Sequence, residues 1–292
     1  MIQVLTMSDA VEILPEFYLW QDESIRTSVN RPSIKPMLCA GNEKRAAVLI
    51  IPGGGYGCVC ESTEGTPIGR KFNELGYHAF ILDYRTAPSR WPEPQLDAMR
   101  AMKIIRKNAG MWKVDEKKVS VCGFSAGAHL AGSLGILCDD LNDLCGDDLK
   151  KYSHLPFAMI LCYGVLVFAP WSHNGTAQNL LGKDFPGDVK KYSLAENVSS
   201  ATPPAFLMHT MCDQVVSFRN SVEFAQAMAA SGRPCELMLN YWGAHGMLLG
   251  KNTLDVVNWP ESAVNFIRTL EIMEEDKDYI NHYTNGYQSR LN

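Results

Sequence analysis

The chain has 292 residues, of which 46% are apolar and 20% charged, with a formal net charge of -5. That length and apolar content allow one sizeable buried core, and an acidic balance without a basic block argues against nucleic-acid binding. No run of about 18 apolar residues occurs, so no membrane span is expected.

Met1 to Ala10 holds no Lys or Arg and lacks the pattern of a secretory signal. Nine cysteines is an odd count with no small disulfide framework, which favours a reducing, cytoplasmic setting. Cys58 and Cys60 form a C-x-C pair with no second pair or histidine at zinc spacing, so no metal is expected. No motif calls for a cofactor, and none sets an oligomeric state.

Pro15, Pro32 and Pro36 break any long helix in the first 45 residues, which read as early edge strands and a crossing loop. Ala46 to Ile51 is a continuous apolar run ended by Pro52 and three glycines, the pattern of a buried strand entering a tight loop. A polar helix is predicted from Pro67 to Leu75, then a strand from Tyr77 to Leu82. Leu96, Met99, Ile104 and Ile105 mark an amphipathic helix over Gln95 to Asn108. Val119 to Cys122 reads as a strand and Ala126 to Leu137 as a small-residue helix. Further strands are predicted at Ala158 to Cys162, Ala205 to His209 and Glu236 to Asn240. Helices are expected at Val222 to Ala230 and Ser262 to Ile272. Such alternation implies one α/β domain: a mostly parallel sheet with helices on both faces and its site at the carboxyl ends of the strands. Residues 165–204 interrupt the alternation; a short cap is one reading and a long connection the other.

The chemistry-bearing residues follow those strands. Gly123-Phe124-Ser125-Ala126-Gly127 matches the G-x-S-x-G turn that lifts a serine nucleophile above a sheet edge, beside a helix N-terminus. Pro52-Gly53-Gly54-Gly55-Tyr56 lets backbone amides face inward, so Gly54, Gly55 and Ala126 are candidates for an oxyanion hole. A plain glycine turn or a phosphate cradle is the alternative, although Gly57-Cys58 stands where a Walker loop needs G-K-[ST]. Asp213, beyond the strand at Ala205, is either the triad acid or a turn residue. His245, in Gly243-Ala244-His245-Gly246, is either the base or a surface histidine. The order Ser125, Asp213, His245 is the chain order of this type of triad and selects the catalytic reading. His129 reads as a packing residue one turn into the nucleophile helix. His154 and His173 precede Asp213 and break the order, and His282 lies in a polar tail.

The sequence resembles the α/β-hydrolase esterases related to acetylxylan esterases and to hormone-sensitive-lipase-like carboxylesterases. The likeness rests on the glycine loop, the serine turn and the two triad segments, with Leu82-Asp83-Tyr84-Arg85 and Pro203-Pro204-Ala205-Phe206, across about residues 46 to 250. It implies carboxylester hydrolysis, often deacetylation of decorated oligosaccharides, with a small-molecule or oligosaccharide ester as substrate. Pro52 stands where lipases have histidine, Ser217 where relatives often have proline, and Ala128 where many have glycine. Tyr56, Trp91, Trp171 and Trp242 are candidates for stacking on sugar faces, with a packed or rim ring as the alternative for each. Two other functions share these motifs: a same-fold amidase or peptidase of the arylformamidase kind, and a non-catalytic binding protein on a hydrolase scaffold.

Overall fold

The structure, a computed structural model, describes residues 11–22, 25, 31–250, 256 and 258–276. Met1 to Ala10 and the tail with His282 lie outside the described residues. In chain order the strands are β1 (Val11–Ile13), β2 (Phe17–Tyr18), β3 (Ser33–Cys39), β4 (Arg45–Ile51), β5 (His78–Asp83), β6 (Val114–Phe124), β7 (Met159–Cys162), β8 (Ala205–Thr210) and β9 (Cys235–Asn240). The α-helices are α1 (Glu61–Glu64), α2 (Thr66–Glu74), α3 (Glu93–Lys107), α4 (Ala109–Trp112), α5 (Ala126–Ile136), α6 (Asn174–Leu181), α7 (Arg219–Ala230) and α8 (Trp259–Glu275).

Among the described residues all nine strands join one sheet in the order β1-β3-β5-β4-β6-β7-β8-β9, with β2 also paired to β3. β1, β2 and β3 are antiparallel additions, and every pairing from β5–β4 to β8–β9 is parallel. Pro36 sits inside β3, where its carbonyl still accepts the Leu14 N–H at 3.0 Å.

The apolar runs are continuous because both faces of the parallel strands are covered. In β4, Ala47, Leu49 and Ile51 face a core shared with α3, α5 and α7, while Val48 and Ile50 face one shared with α2 and α8. From β4 the chain crosses to β5 on one side and then to β6 on the other. That reversal opens a crevice beyond the strand ends, between the loop after β4 and the turn after β6.

Residues 165–204 pass from β7 to β8 through α6 and two 3₁₀ turns, Val189–Tyr192 and Ala195–Asn197. Leu166, Leu180 and Leu194 are fully buried in the α3/α5/α7 core. The Asn220 side-chain carbonyl at the start of α7 accepts the Leu166 and Val167 N–H groups, pinning the first part of the segment.

Candidate active site

Ser125 caps α5 with φ 52° and ψ -119°, a conformation L-residues rarely hold. The surroundings enforce it. A Cβ on Gly127 would strike the Ile51 and Pro52 carbonyl oxygens, so only glycine lets α5 start this close to the end of β4. The Ser125 N–H donates to the Cys162 carbonyl at 3.0 Å, tying the turn to β7.

Asp213 lies beyond β8 and His245 beyond β9, as separate loops. The structure brings both to Ser125. His245 Nε2 is 3.0 Å from Ser125 Oγ, and His245 Nδ1 is 2.7 Å from Asp213 Oδ2. Asp213 Oδ1 accepts the Val215 and Val216 N–H groups, each at 2.9 Å. His209, wholly buried, adds its Nε2 at 3.3 Å from Oδ2. Burial alone would push the Asp213 carboxyl upward. The hydrogen bonds from His209, His245 and the Val216 amide outweigh it and hold the group below the usual carboxylate range. An ionised acid therefore faces the imidazole and favours the tautomer with a proton on Nδ1 and a free lone pair toward Ser125.

The glycine loop curls beside this line. Gly54 has φ 126°, and a Cβ there would collide with the Cys58 carbonyl, which makes glycine obligatory. Tyr84 donates its hydroxyl to the Pro52 carbonyl at 2.8 Å, and Asn179 of α6 donates to the Gly55 carbonyl at 2.9 Å. The Gly53 N–H is taken by Glu64 Oε2 at 2.7 Å. Among the described residues the amides of Gly54, Gly55 and Ala126 donate to no protein group.

The four aromatic candidates separate. Tyr56 corrects the expectation of a stacking ring: it is fully buried, its hydroxyl 2.8 Å from His129 Nδ1, so it has no face to offer a sugar. Trp91 packs against Tyr192 at 5.0 Å, and Trp171 lies under the Arg219 guanidinium at 4.1 Å. Trp242, three residues before His245, is 63% exposed. His129 stacks on Phe168 and bonds the Tyr192 carbonyl through Nε2 at 2.8 Å. Burial lowers its pKa to about 4, so it stays neutral.

Three further residues meet the site that the sequence did not assign to it. His173 caps α6, with Nδ1 2.8 Å from the Thr176 hydroxyl and its ring edge against the open side of Gly55. Tyr163 follows β7 directly, a strand-end position that the fold rule marks for inspection. Glu64 ends a four-residue helix that no periodicity announces.

A mostly parallel sheet carrying a strained serine turn at its switch point is the architecture of the α/β hydrolases, the class to which this protein's solved structural neighbours belong. Within that class the chain belongs to the BD-FAE family, which matches residues 38–228. It is similar to endo-1,4-beta-xylanase B of Butyrivibrio fibrisolvens, 33% identical over 80% of this chain and 38% of that protein. It is also similar to an acetylxylan esterase of Xylanibacter ruminicola, 29% identical over 72% of this chain and 42% of that one. The chain thus spans about four tenths of the length of these two relatives. The crystal structure of an acetyl ester-xyloside bifunctional hydrolase from Caldicellulosiruptor lactoaceticus matches with a TM-score of 0.81 and 31% identity, covering 88% of this chain and 96% of that one.

Proposed function

We propose that the protein is a serine carboxylesterase that removes acetyl or similarly short acyl groups from sugar esters such as acetylated xylo-oligosaccharides. The observation that carries this reading is the unbroken line from Ser125 Oγ through His245 to Asp213, set beside a glycine loop whose Gly54 and Gly55 amides donate to no protein group among the described residues. His245 Nε2 takes the Ser125 proton as Oγ attacks the acyl carbon, and Asp213 stabilises the imidazolium that forms. The amides of Gly54, Gly55 and Ala126 receive the oxyanion, each such donor being worth about 10²–10³ in rate. His245 then hands the proton to the departing sugar oxygen. Water, activated by the same imidazole, releases the acid from the acyl-enzyme.

The sugar side of the reading draws on the relatives, which carry xylan-related names, on the polar His173 and Asn179 beside Gly55, and on the exposed ring of Trp242. Residues 165–204 serve as a short cap that brings His173 and Asn179 to the glycine loop. The test compares 4-nitrophenyl acetate, 4-nitrophenyl octanoate and acetylated xylo-oligosaccharide, with Ser125→Ala as control. Acetate and the sugar ester are cleaved much faster than octanoate, and the control falls to near background. Equal rates for wild type and control would refute the mechanism.

A further inference from the structure

Glu64 is a buried carboxylate to which the mechanism above gives no task, although it lies directly behind the nucleophile. It is 6% exposed. A Cβ built on Gly53 would stand 2.9 Å from Ser125 Cβ and 3.0 Å from Glu64 Oε2, so only Gly53 separates the two residues. One Glu64 oxygen accepts the Gly53 N–H at 2.7 Å and the other accepts the Tyr163 hydroxyl at 2.9 Å. The Tyr163 ring stands edge-on to the His245 imidazole at 5.1 Å, and its N–H is anchored to the Met208 carbonyl at 2.7 Å.

One side chain is therefore joined to the glycine loop on one side and, through Tyr163, to the histidine loop on the other. Such a group is costly to keep. Burial raises its pKa, and the Gly53 N–H and Tyr163 hydroxyl reverse only part of that rise. Apolar side chains of similar volume usually stabilise a buried site as well as an ionisable one does. What an apolar residue cannot supply is two directed acceptors.

We propose, on the basis of the serine-esterase reading, that Glu64 is a positioning residue whose two oxygens fix the glycine loop and the His245 loop at a common distance from Ser125. The oxyanion amides and the base then stay aligned with one nucleophile. Misplacing such groups by about 1 Å costs on the order of 10² in rate.

Glu64→Leu, Glu64→Gln and Tyr163→Phe test this, with steady-state kinetics on 4-nitrophenyl acetate, affinity for an aryl trifluoromethyl ketone that forms a tetrahedral adduct, and thermal unfolding. Glu64→Leu lowers kcat about 100-fold with KM within about twofold, and weakens the ketone by a similar factor. Glu64→Gln keeps an acceptor for Gly53 and a polar group facing Tyr163, and retains kcat within about threefold. Tyr163→Phe breaks one arm and lowers kcat about tenfold, the size of one lost hydrogen bond. A folded Glu64→Leu with unchanged kcat and ketone affinity would overturn the proposal. Where Glu64→Leu does not fold, Tyr163→Phe decides: unchanged kcat and ketone affinity there overturn it as well. Failure of the underlying esterase reading is distinct, appearing as equal rates for wild type and Ser125→Ala.

Discussion

Replacing Asp213 by Asn should nearly abolish turnover while leaving the backbone in place, and the hydrogen bonds say why. Asp213 Oδ1 accepts two amides, from Val215 and Val216, at 2.9 Å each. In the variant that position must keep an oxygen, because a side-chain NH₂ there would face two donors. The NH₂ is thereby forced into the Oδ2 place, 2.7 Å from His245 Nδ1. It donates to Nδ1, which must then be unprotonated, and the ring carries its proton on Nε2 instead. That proton points at Ser125 Oγ, and the imidazole has no lone pair left to take the serine proton. An equivalent change in a well-studied triad costs about 10⁴ in kcat, and the same tautomer trap operates here. The assay is kcat on 4-nitrophenyl acetate at saturating substrate, beside thermal unfolding to show that the variant folds. A folded Asp213→Asn enzyme within about tenfold of wild type would refute the tautomer argument and the role of Asp213 with it.

His173→Ala should raise KM for acetylated xylo-oligosaccharide several-fold, about the loss of one hydrogen bond, and leave 4-nitrophenyl acetate nearly unchanged; equal effects on both would place His173 outside the sugar site. Asp97→Ala should destabilise the fold by about 3–5 kcal/mol in urea unfolding, since it strands the buried Arg85 guanidinium that Asp97 pairs at 2.9 Å. The folded protein keeps His129 neutral down to about pH 4, whereas the unfolded chain protonates it near 6.5. Its stabilising contribution is complete above 6.5 and declines as pH falls toward 4. The stability gap between wild type and His129→Gln should therefore shrink over that window, and a gap that widens with acid would contradict the assignment.

Much of the chain was legible from its residues alone. The apolar run of β4 and the strand before Ser125 had to be buried on both faces, and the sharp strand-to-helix turn requires the glycines around Ser125. The chain order of serine, acid and histidine picked out Asp213 and His245 among several carboxylates and seven histidines. Boundaries moved by a few residues: β6 begins at Val114 rather than Val119, because Val114 pairs with Arg45 across a register shift, and the charged residues 115–118 between hide that start in the sequence. The letters leave Tyr56 open between a stacking ring and a packed one, because an aromatic beside a glycine loop looks the same in sequence whether it points to solvent or inward. The hydrogen bond to His129, 73 residues away, turns it inward.

Local sequence decided the elements, since periodicity, glycine and proline act within a few residues of themselves. It also decided the strained turn at Ser125, which is written in five consecutive letters. Only the tertiary structure decided that Glu64, Tyr163 and His173 belong to the same crevice. Their partners lie on other elements, and contacts between distant segments exist only after the sheet has set β4, β6 and β7 side by side.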